Sequence, residues 1–210
     1  LKYFEGMWSF AIYDVKKKIT FLSRDRFGEK PLYYFNSKND GIYFGSEIKF
    51  IKSLIQKKFA VNKEKIISFL NFGYKSLYKK GDLFFNEIKE LGGGEYLIIN
   101  HNNNLKTFKY WKPKITENKY ISLNETISEV RKKLTNSLKL RTRSDVPIAF
   151  TLSGGVDSAS LVSIASKKLN LKIRTYSIID DDKRYDESEN IDEIVKDLEC
   201  KNKKIIIKNE

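Results

Sequence analysis

The sequence predicts a two-part protein: a β-rich, α+β first half followed by an α/β second half built on a parallel sheet. Three observations predict it. Short aromatic runs separated by turn residues fill the first hundred positions, the pattern of antiparallel strands. From Asn124 onward, apolar runs alternate with helical periodicity, as in a parallel sheet with crossover helices. Between one such strand and its helix stands Ser153-Gly154-Gly155-Val156-Asp157-Ser158, where small residues turn a strand into a helix start.

Residues 7–14 alternate, with Trp8, Phe10 and Ile12 between small or polar neighbours, and residues 18–24 carry Ile19, Phe21 and Leu22. Residues 32–35 and 42–44 are short aromatic strands, and Asn39-Asp40-Gly41 between them is a hairpin signal. Residues 48–55 have helical spacing (Ile48, Ile51, Leu54, Ile55). Residues 63–72 form a second helix, with Ile66, Ile67, Phe69 and Leu70, stopped by Gly73. Strands resume at 83–88 and 96–100. Gly92-Gly93-Gly94 between them reads as a loop feeding a strand, because no helix follows it. Residues 105–111 pair back across the Asn-rich tip that holds His101.

A polar stretch from Lys112-Pro113 reads as a linker, giving domains at 1–112 and 124–210 with the linker at 113–123. Residues 126–140 form an amphipathic helix with Ile127, Val130, Leu134 and Leu138 on one face. Then come strand 148–152, the small-residue run, helix 157–169, strand 173–179, helix 187–198 and strand 204–208. Ligands of such sheets sit at the carboxyl ends of the strands. Ser153 and the end of the second strand, at Ile178 and Ile179, therefore share one rim.

Composition excludes several classes. With 40% hydrophobic residues the chain can bury a core. No apolar run approaches the roughly 20 residues that span a bilayer, and no signal peptide is visible, so the chain reads as cytoplasmic. One cysteine, Cys200, excludes an intrachain disulfide and a cysteine-rich zinc site. One histidine, His101, at a solvated hairpin tip, argues against a Ser–His or Cys–His triad. The net charge of +13 comes from scattered lysines beside abundant Asn, Ile, Phe and Tyr. That reads as the codon bias of an AT-rich coding sequence rather than a nucleic-acid footprint.

A strand that turns through small residues into a helix presents free N–H groups and the positive end of the helix dipole, an anion site. Gly154 and Gly155 allow close approach and positive φ. Ser153 and Ser158 add hydroxyl donors, and Asp157 can cap the helix or hold a metal ion. The bland alternative is a strand–turn–helix joint whose Ser and Asp only cap. No Lys follows the glycines, so this is not the G-x-x-x-x-G-K-[ST] loop. The run resembles the SGGxDS pyrophosphate loop of enzymes that split ATP into AMP and pyrophosphate.

Taken together, the two halves resemble glutamine-hydrolysing asparagine synthetase. Gly6-Met7-Trp8-Ser9-Phe10-Ala11-Ile12-Tyr13-Asp14 is similar to that family's "G-x-[FW]-A-F-A-[IL]-[YW]-D" strand. Arg24-Asp25-Arg26-Phe27-Gly28-Glu29-Lys30-Pro31-Leu32-Tyr33-Tyr34 is similar to its "RDxxGxxPLYY" segment, and Ser46-Glu47-Ile48-Lys49 to its "SE[IM]K". Ser144-Asp145-Val146-Pro147 resembles "SDVP", and Tyr185-Asp186-Glu187-Ser188 resembles "YDES". The resemblance implies an N-terminal-nucleophile-type glutaminase piece, the C-terminal part of a type-2 amidotransferase domain. After it would come the N-terminal part of an ATP-pyrophosphatase domain (adenine nucleotide α-hydrolase-like). The family's nucleophile is a cysteine at its first residue. This chain opens on Leu1, so no catalytic residue is assigned, and Cys200 reads as structural. The chain is read as an internal fragment that exposes apolar faces and is poorly stable.

The resemblance also implies site residues. Asp25 would hold the α-amino group of glutamine; from residues alone, an ion pair with Arg24 or Arg26 stands equally. Glu47 reads as structural before glutamine binding. Leu152, Ser153, Gly154, Gly155, Asp157 and Ser158 would surround ATP and its pyrophosphate, with Asp157 as a Mg²⁺ ligand. Ile178 would meet adenine through its backbone, and is otherwise ordinary core. Asp180-Asp181-Asp182 reads as a solvated acidic loop. The implied substrates are glutamine, aspartate and ATP, with Mg²⁺, no nucleic acid and no membrane; a homodimer of the full-length protein is admitted. The implied product is asparagine, formed through an aspartyl-adenylate. Two alternatives stand beside it. One is an amidotransferase with another acceptor, a surface-polysaccharide sugar or a β-lactam precursor. The other is a basic RNA-binding module, which scattered lysines argue against.

Overall fold

The structure is a computed structural model of residues 1–210, described at all positions except 38–39, 78–81, 118–119, 181 and 208–210, with Ile207 described by its backbone alone. It divides into two compact units, Leu1–Ile115 and Thr116–Glu210. Each unit has its own core.

In the first unit, β1 (Ser9–Asp14), β2 (Ile19–Arg24), β6 (Glu95–Ile99) and β7 (Leu105–Lys109) form an antiparallel sheet in the order β1-β2-β6-β7. A second antiparallel sheet orders β4 (Gly41–Gly45), β3 (Tyr33–Ser37) and β5 (Lys89–Glu90) as β4-β3-β5. Strand alternation on β3 joins the layers. Tyr34 enters the core made by Leu22, Leu97 and Ile99 of the first sheet with Leu32 and Leu91. Its neighbour Phe35 points the other way, to Ile51 of helix α1 (Ile48–Ile55), Phe59 and Ile88. β3 and β4 pair antiparallel with Ser37 opposite Gly41, as the hairpin signal between them predicts. Gly41 there has φ +94°, and Asn39 lies outside the described residues.

Helix α2 (Lys63–Phe72) begins where predicted, with the Asn62 side chain accepting from the Lys65 amide, and ends at Gly73 with φ +58°. Its packing departs from expectation. The apolar set Ile66, Ile67, Phe69 and Leu70 lies largely open, while Lys65 is only 5% exposed. The Lys65 Nζ donates to the carbonyls of Ser76 (2.7 Å) and Leu77 (3.2 Å), at the end of the 3₁₀ turn Gly73–Ser76. Carbonyl acceptors make burial of an ammonium tolerable. On α1, Leu54 likewise faces out, although Ile51 is fully buried.

The strand expected at 83–88 does not form. Phe85 makes an isolated bridge to Val61, and the amides of Asn62 and Asn86 bond to the carbonyls of Phe84 and Ala60. Leu83, Phe85 and Ile88 still pack into the core beside α1, so the apolar run marks burial without ladder pairing.

In the second unit, β8 (Phe150–Thr151), β9 (Arg174–Asp180) and β10 (Lys201–Ile207) form a parallel sheet in the order β10-β9-β8. The alternation expected from Asn124 onward is present: α3 (Leu123–Arg141), β8, α4 (Val156–Ser163), β9, α5 (Ser188–Asp197), β10. β8 is shorter than the run 148–152. α4 passes into a π-helical turn, Ile164–Lys168, with the Leu169 amide bonded to the Ile164 carbonyl.

Ser122 and Glu125 close a capping box at the start of α3. Of its predicted apolar face, only Leu138 is buried in the core with Leu152, Val162, Ala165, Ile173, Ile179, Ile191 and Leu198. Ile127, Val130 and Leu134 line an open groove against the α4 side. None of the helices is long and apolar enough to cross a membrane, among the described residues.

Candidate functional site

Two loops gather the residues singled out above, one in each unit. In the first unit the loop begins where β2 ends. Asp25 is 1% exposed. Its Oδ1 accepts from the amides of Phe27 and Glu29 (both 3.0 Å) and its Oδ2 from the amide of Lys30 (2.9 Å). Burial alone raises a carboxyl pKa. Here four backbone groups, at Lys30, Glu29, Phe27 and Trp8, outweigh it and hold Asp25 below the ordinary carboxylate value.

Arg24 grips the same loop by its carbonyls. Its Nε donates to Lys30 O (2.7 Å), and its Nη1 donates to Leu91 O (2.7 Å) and pairs with Glu90 Oε1 (2.6 Å). The ion pair of Asp25 with Arg24 or Arg26 is therefore not what the structure forms. Three of the roughly four acceptor positions of its carboxylate are taken by amides of its own loop. Asp25 organises the 26–30 loop.

The glycine triplet, read from the sequence as a plain loop, is the other half of this arrangement. The Gly94 amide donates to the Asp25 carbonyl at 2.8 Å. A Cβ at Gly93 would lie 2.9 Å from the Gly28 amide nitrogen, and one at Gly94, where φ is +71°, 2.5 Å from Trp111 O. The glycine run was visible in the sequence. Its partner loop, some 65 residues earlier, was not. Glu47 pairs with Lys49 at the surface.

In the second unit the 153–158 run forms the turn from β8 into α4. The Ser158 hydroxyl ties it. Its Oγ accepts from the Ser153 amide (3.1 Å), lies 2.9 Å from Ser153 Oγ, and donates to the carbonyl of Ser153 (2.9 Å). Gly155 is the N-cap of α4, and its amide donates to Ser153 Oγ (3.3 Å). Neither Gly154 nor Gly155 has positive φ, so that part of the expectation is corrected. Close approach is real at Gly154. A Cβ there would stand 2.8 Å from Glu187 Cβ and 2.9 Å from Asn190 Cβ, whereas at Gly155 it would meet only Ser153 Oγ at 3.3 Å.

Among the described residues no hydrogen bond engages the amides of Val156, Asp157 or Ser158, the first three of α4. They point an uncompensated donor set and the positive helix end outward. Asp157 is exposed beside them with no cap bond. Leu152 is buried, and its amide donates to Tyr176 O (2.8 Å).

The β8–β9 register pairs Thr151 with Tyr176, so two further residues set Ser153 opposite Ile178 on the carboxyl rim. Ile178 is not core. Its side chain is 67% exposed, because β9 alternates and buries Thr175, Ser177 and Ile179 instead. The buried hydroxyls of Thr175 and Ser177 are satisfied by the Asn202 amide at 2.9 Å each.

Of the acidic run, the Asp182 carboxylate is taken by Arg184 (2.6 Å), whose hydrogen bond also lowers its pKa. Asp181 lies outside the described residues. Cys200 packs against the second unit's core with its Sγ 4.0 Å from Thr175 Oγ1. Sequence reasoning missed Glu187, whose Oε2 accepts from the Gly154 amide at 3.1 Å. The Asp186-Glu187-Ser188 string ahead of a helix was legible as a cap, but not its reach back to position 154.

Comparison with known proteins agrees with this division. Residues 1–111 match a glutamine amidotransferase domain family, and residues 129–210 match an asparagine synthase family. A putative asparagine synthetase [glutamine-hydrolyzing] 2 of Methanocaldococcus jannaschii is 36% identical over 187 residues, covering 85% of this chain and 34% of that protein. Asparagine synthetase [glutamine-hydrolyzing] 2 of Bacillus subtilis is 35% identical over 184 residues, covering 83% and 24%. Amidase chyE of Penicillium rubens is 28% identical over 180 residues, covering 79% and 24%. The chain thus spans 24–34% of the length of these relatives. With its model matched over more than half of the chain, the chain belongs to the glutamine amidotransferase domain family, and its second unit matches the asparagine synthase family.

Proposed function

We propose that this chain serves an ATP-dependent amide synthesis: aspartate, glutamine, ATP and water give asparagine, glutamate, AMP and pyrophosphate. In this reading residues 1–112 belong to an N-terminal-nucleophile-type glutaminase and residues 124–210 to an ATP-pyrophosphatase domain, with 113–123 as linker. Glutamine hydrolysis supplies ammonia, and its nucleophile is not assigned to any residue of this chain. The aspartate side-chain carboxylate attacks the α-phosphorus of ATP and pyrophosphate leaves. Ammonia then attacks the acyl carbon of the adenylate and AMP leaves.

The observation that carries the reading is the open donor set at the start of α4, on the rim where Ser153 faces Ile178. The amides of Val156, Asp157 and Ser158 suit the charge that develops on a departing diphosphate, and the Ser153 and Ser158 hydroxyls, bonded to each other, hold the turn that presents those amides. The exposed Asp157 carboxylate suits Mg²⁺, a hard cation that takes oxygen ligands; when bound it would neutralise phosphate charge. Leu152 backs the loop from the core, and in this reading the Ile178 backbone would meet adenine. Asp25 has a structural part in this account, as the organiser of the 26–30 loop.

Asp157→Ala in the full-length protein is expected to abolish ATP–pyrophosphate exchange while leaving glutamine hydrolysis. Retained exchange removes Asp157 from the mechanism. The likeness to Amidase chyE favours keeping a second acceptor reading open, in which a carboxylate other than aspartate is adenylated. Exchange that needs aspartate decides for the first reading.

A further inference from the structure

We infer that Glu187 is a positioning residue for the 153–158 loop, bracing it from the start of α5; this rests on the reading of that loop as a diphosphate site. The Gly154 amide donates to Glu187 Oε2 at 3.1 Å. The same residue fills the space beside Gly154, where a Cβ would stand 2.8 Å from Glu187 Cβ and 3.2 Å from Glu187 O. One side chain therefore meets Gly154 by packing and by a charge-assisted hydrogen bond. Glu187 is itself fixed. It is the N-cap of α5, and its carbonyl accepts from the amide of Ile191, whose side chain is fully buried.

The amides of Ser153 and Gly155 are satisfied inside the loop, by Ser158 Oγ and Ser153 Oγ. Gly154 is thus the amide of these three that ties the loop to another element. Its amide is spent on the brace and is not an anion donor. The brace fixes the peptide ahead of α4, so that the donors at 156–158 meet the ligand without reorganisation. A carboxylate that merely plugged an anion site would leave when the anion came. The packing of Glu187 against the Gly154 backbone has no such reason to release.

The test uses the full-length protein, its Glu187→Ala and Glu187→Gln variants, inorganic pyrophosphate with Mg²⁺, and the hydrogen exchange of the Gly154 amide. Glu187→Ala is expected to speed Gly154 exchange and to weaken pyrophosphate binding about tenfold, with Tm little changed. Glu187→Gln keeps an acceptor oxygen and is expected to stay within about threefold of the parent. Unchanged Gly154 exchange in Glu187→Ala overturns the brace. Equal or tighter pyrophosphate binding by Glu187→Ala overturns the positioning role, and tighter binding identifies the carboxylate as a plug. No pyrophosphate binding by the parent, with Gly154 exchange still responding to Glu187→Ala, overturns the diphosphate reading and leaves the brace standing.

Discussion

Arg24 and Asp25, neighbours at the end of β2, hold one loop by its two opposite polarities without pairing with each other. Arg24 donates to the carbonyls of Gly28 and Lys30, and Asp25 accepts from the amides of Phe27, Glu29 and Lys30. The ion pair of Arg24 is with Glu90 instead. Opposite charges adjacent in the chain thus serve backbone groups of opposite polarity in one loop.

The acid dependence of the first unit follows from Asp25. Its pKa in the folded chain lies below the unfolded value of about 3.9. The stability it contributes is therefore complete above that value and is lost as pH falls through the folded pKa. Asp25→Ala removes the acceptor of three part-buried amide bonds and is expected to cost about 1–3 kcal/mol at neutral pH. Urea melts followed by tryptophan fluorescence report on this unit, since Trp8 and Trp111 both lie in it. The gap between parent and variant should close toward pH 2. A gap that is small at neutral pH contradicts the role given to Asp25.

The two glycines of the second loop should not behave alike. Gly154→Ala drives a methyl into Glu187 and Asn190 and is expected to cost about 1–3 kcal/mol. Gly155→Ala, at φ −82° and with only a hydroxyl near, should cost less than about 1 kcal/mol. Thermal melts of the two variants decide it, and equal losses would remove the packing argument at position 154.

Along α3 the predicted apolar face should split in the same manner. Leu138→Ala empties core volume and is expected to cost about 2–4 kcal/mol. Val130→Ala, half exposed over an open groove, should change stability by under about 1 kcal/mol. Circular dichroism melts test the pair.

The sequence was most readable where a signal is local. The helices at 48–55 and 63–72, the hairpin at 39–41 and the strand–helix alternation after Asn124 rest on period and turn chemistry within a few residues. Burial was less readable, because a helix face shows that residues are apolar and not what covers them. Ile66, Ile67 and Leu70 lie open, while Lys65 is buried by two carbonyls from a turn eleven and twelve residues on. The 153–158 run was legible by composition as a turn from strand into helix. Its brace at Glu187 and the clasp of Gly93 and Gly94 on the Asp25 loop are long-range contacts that no window of one sequence displays.

The claim on which the functional account rests is that the amides opening α4 receive the phosphates of ATP. Titration of the ¹⁵N-labelled chain with Mg·ATP tests it directly. The account predicts the largest shifts at the amides of Val156, Asp157 and Ser158, with smaller ones at Ile178. Saturable binding that leaves these amides unmoved and shifts another part of the chain would contradict it.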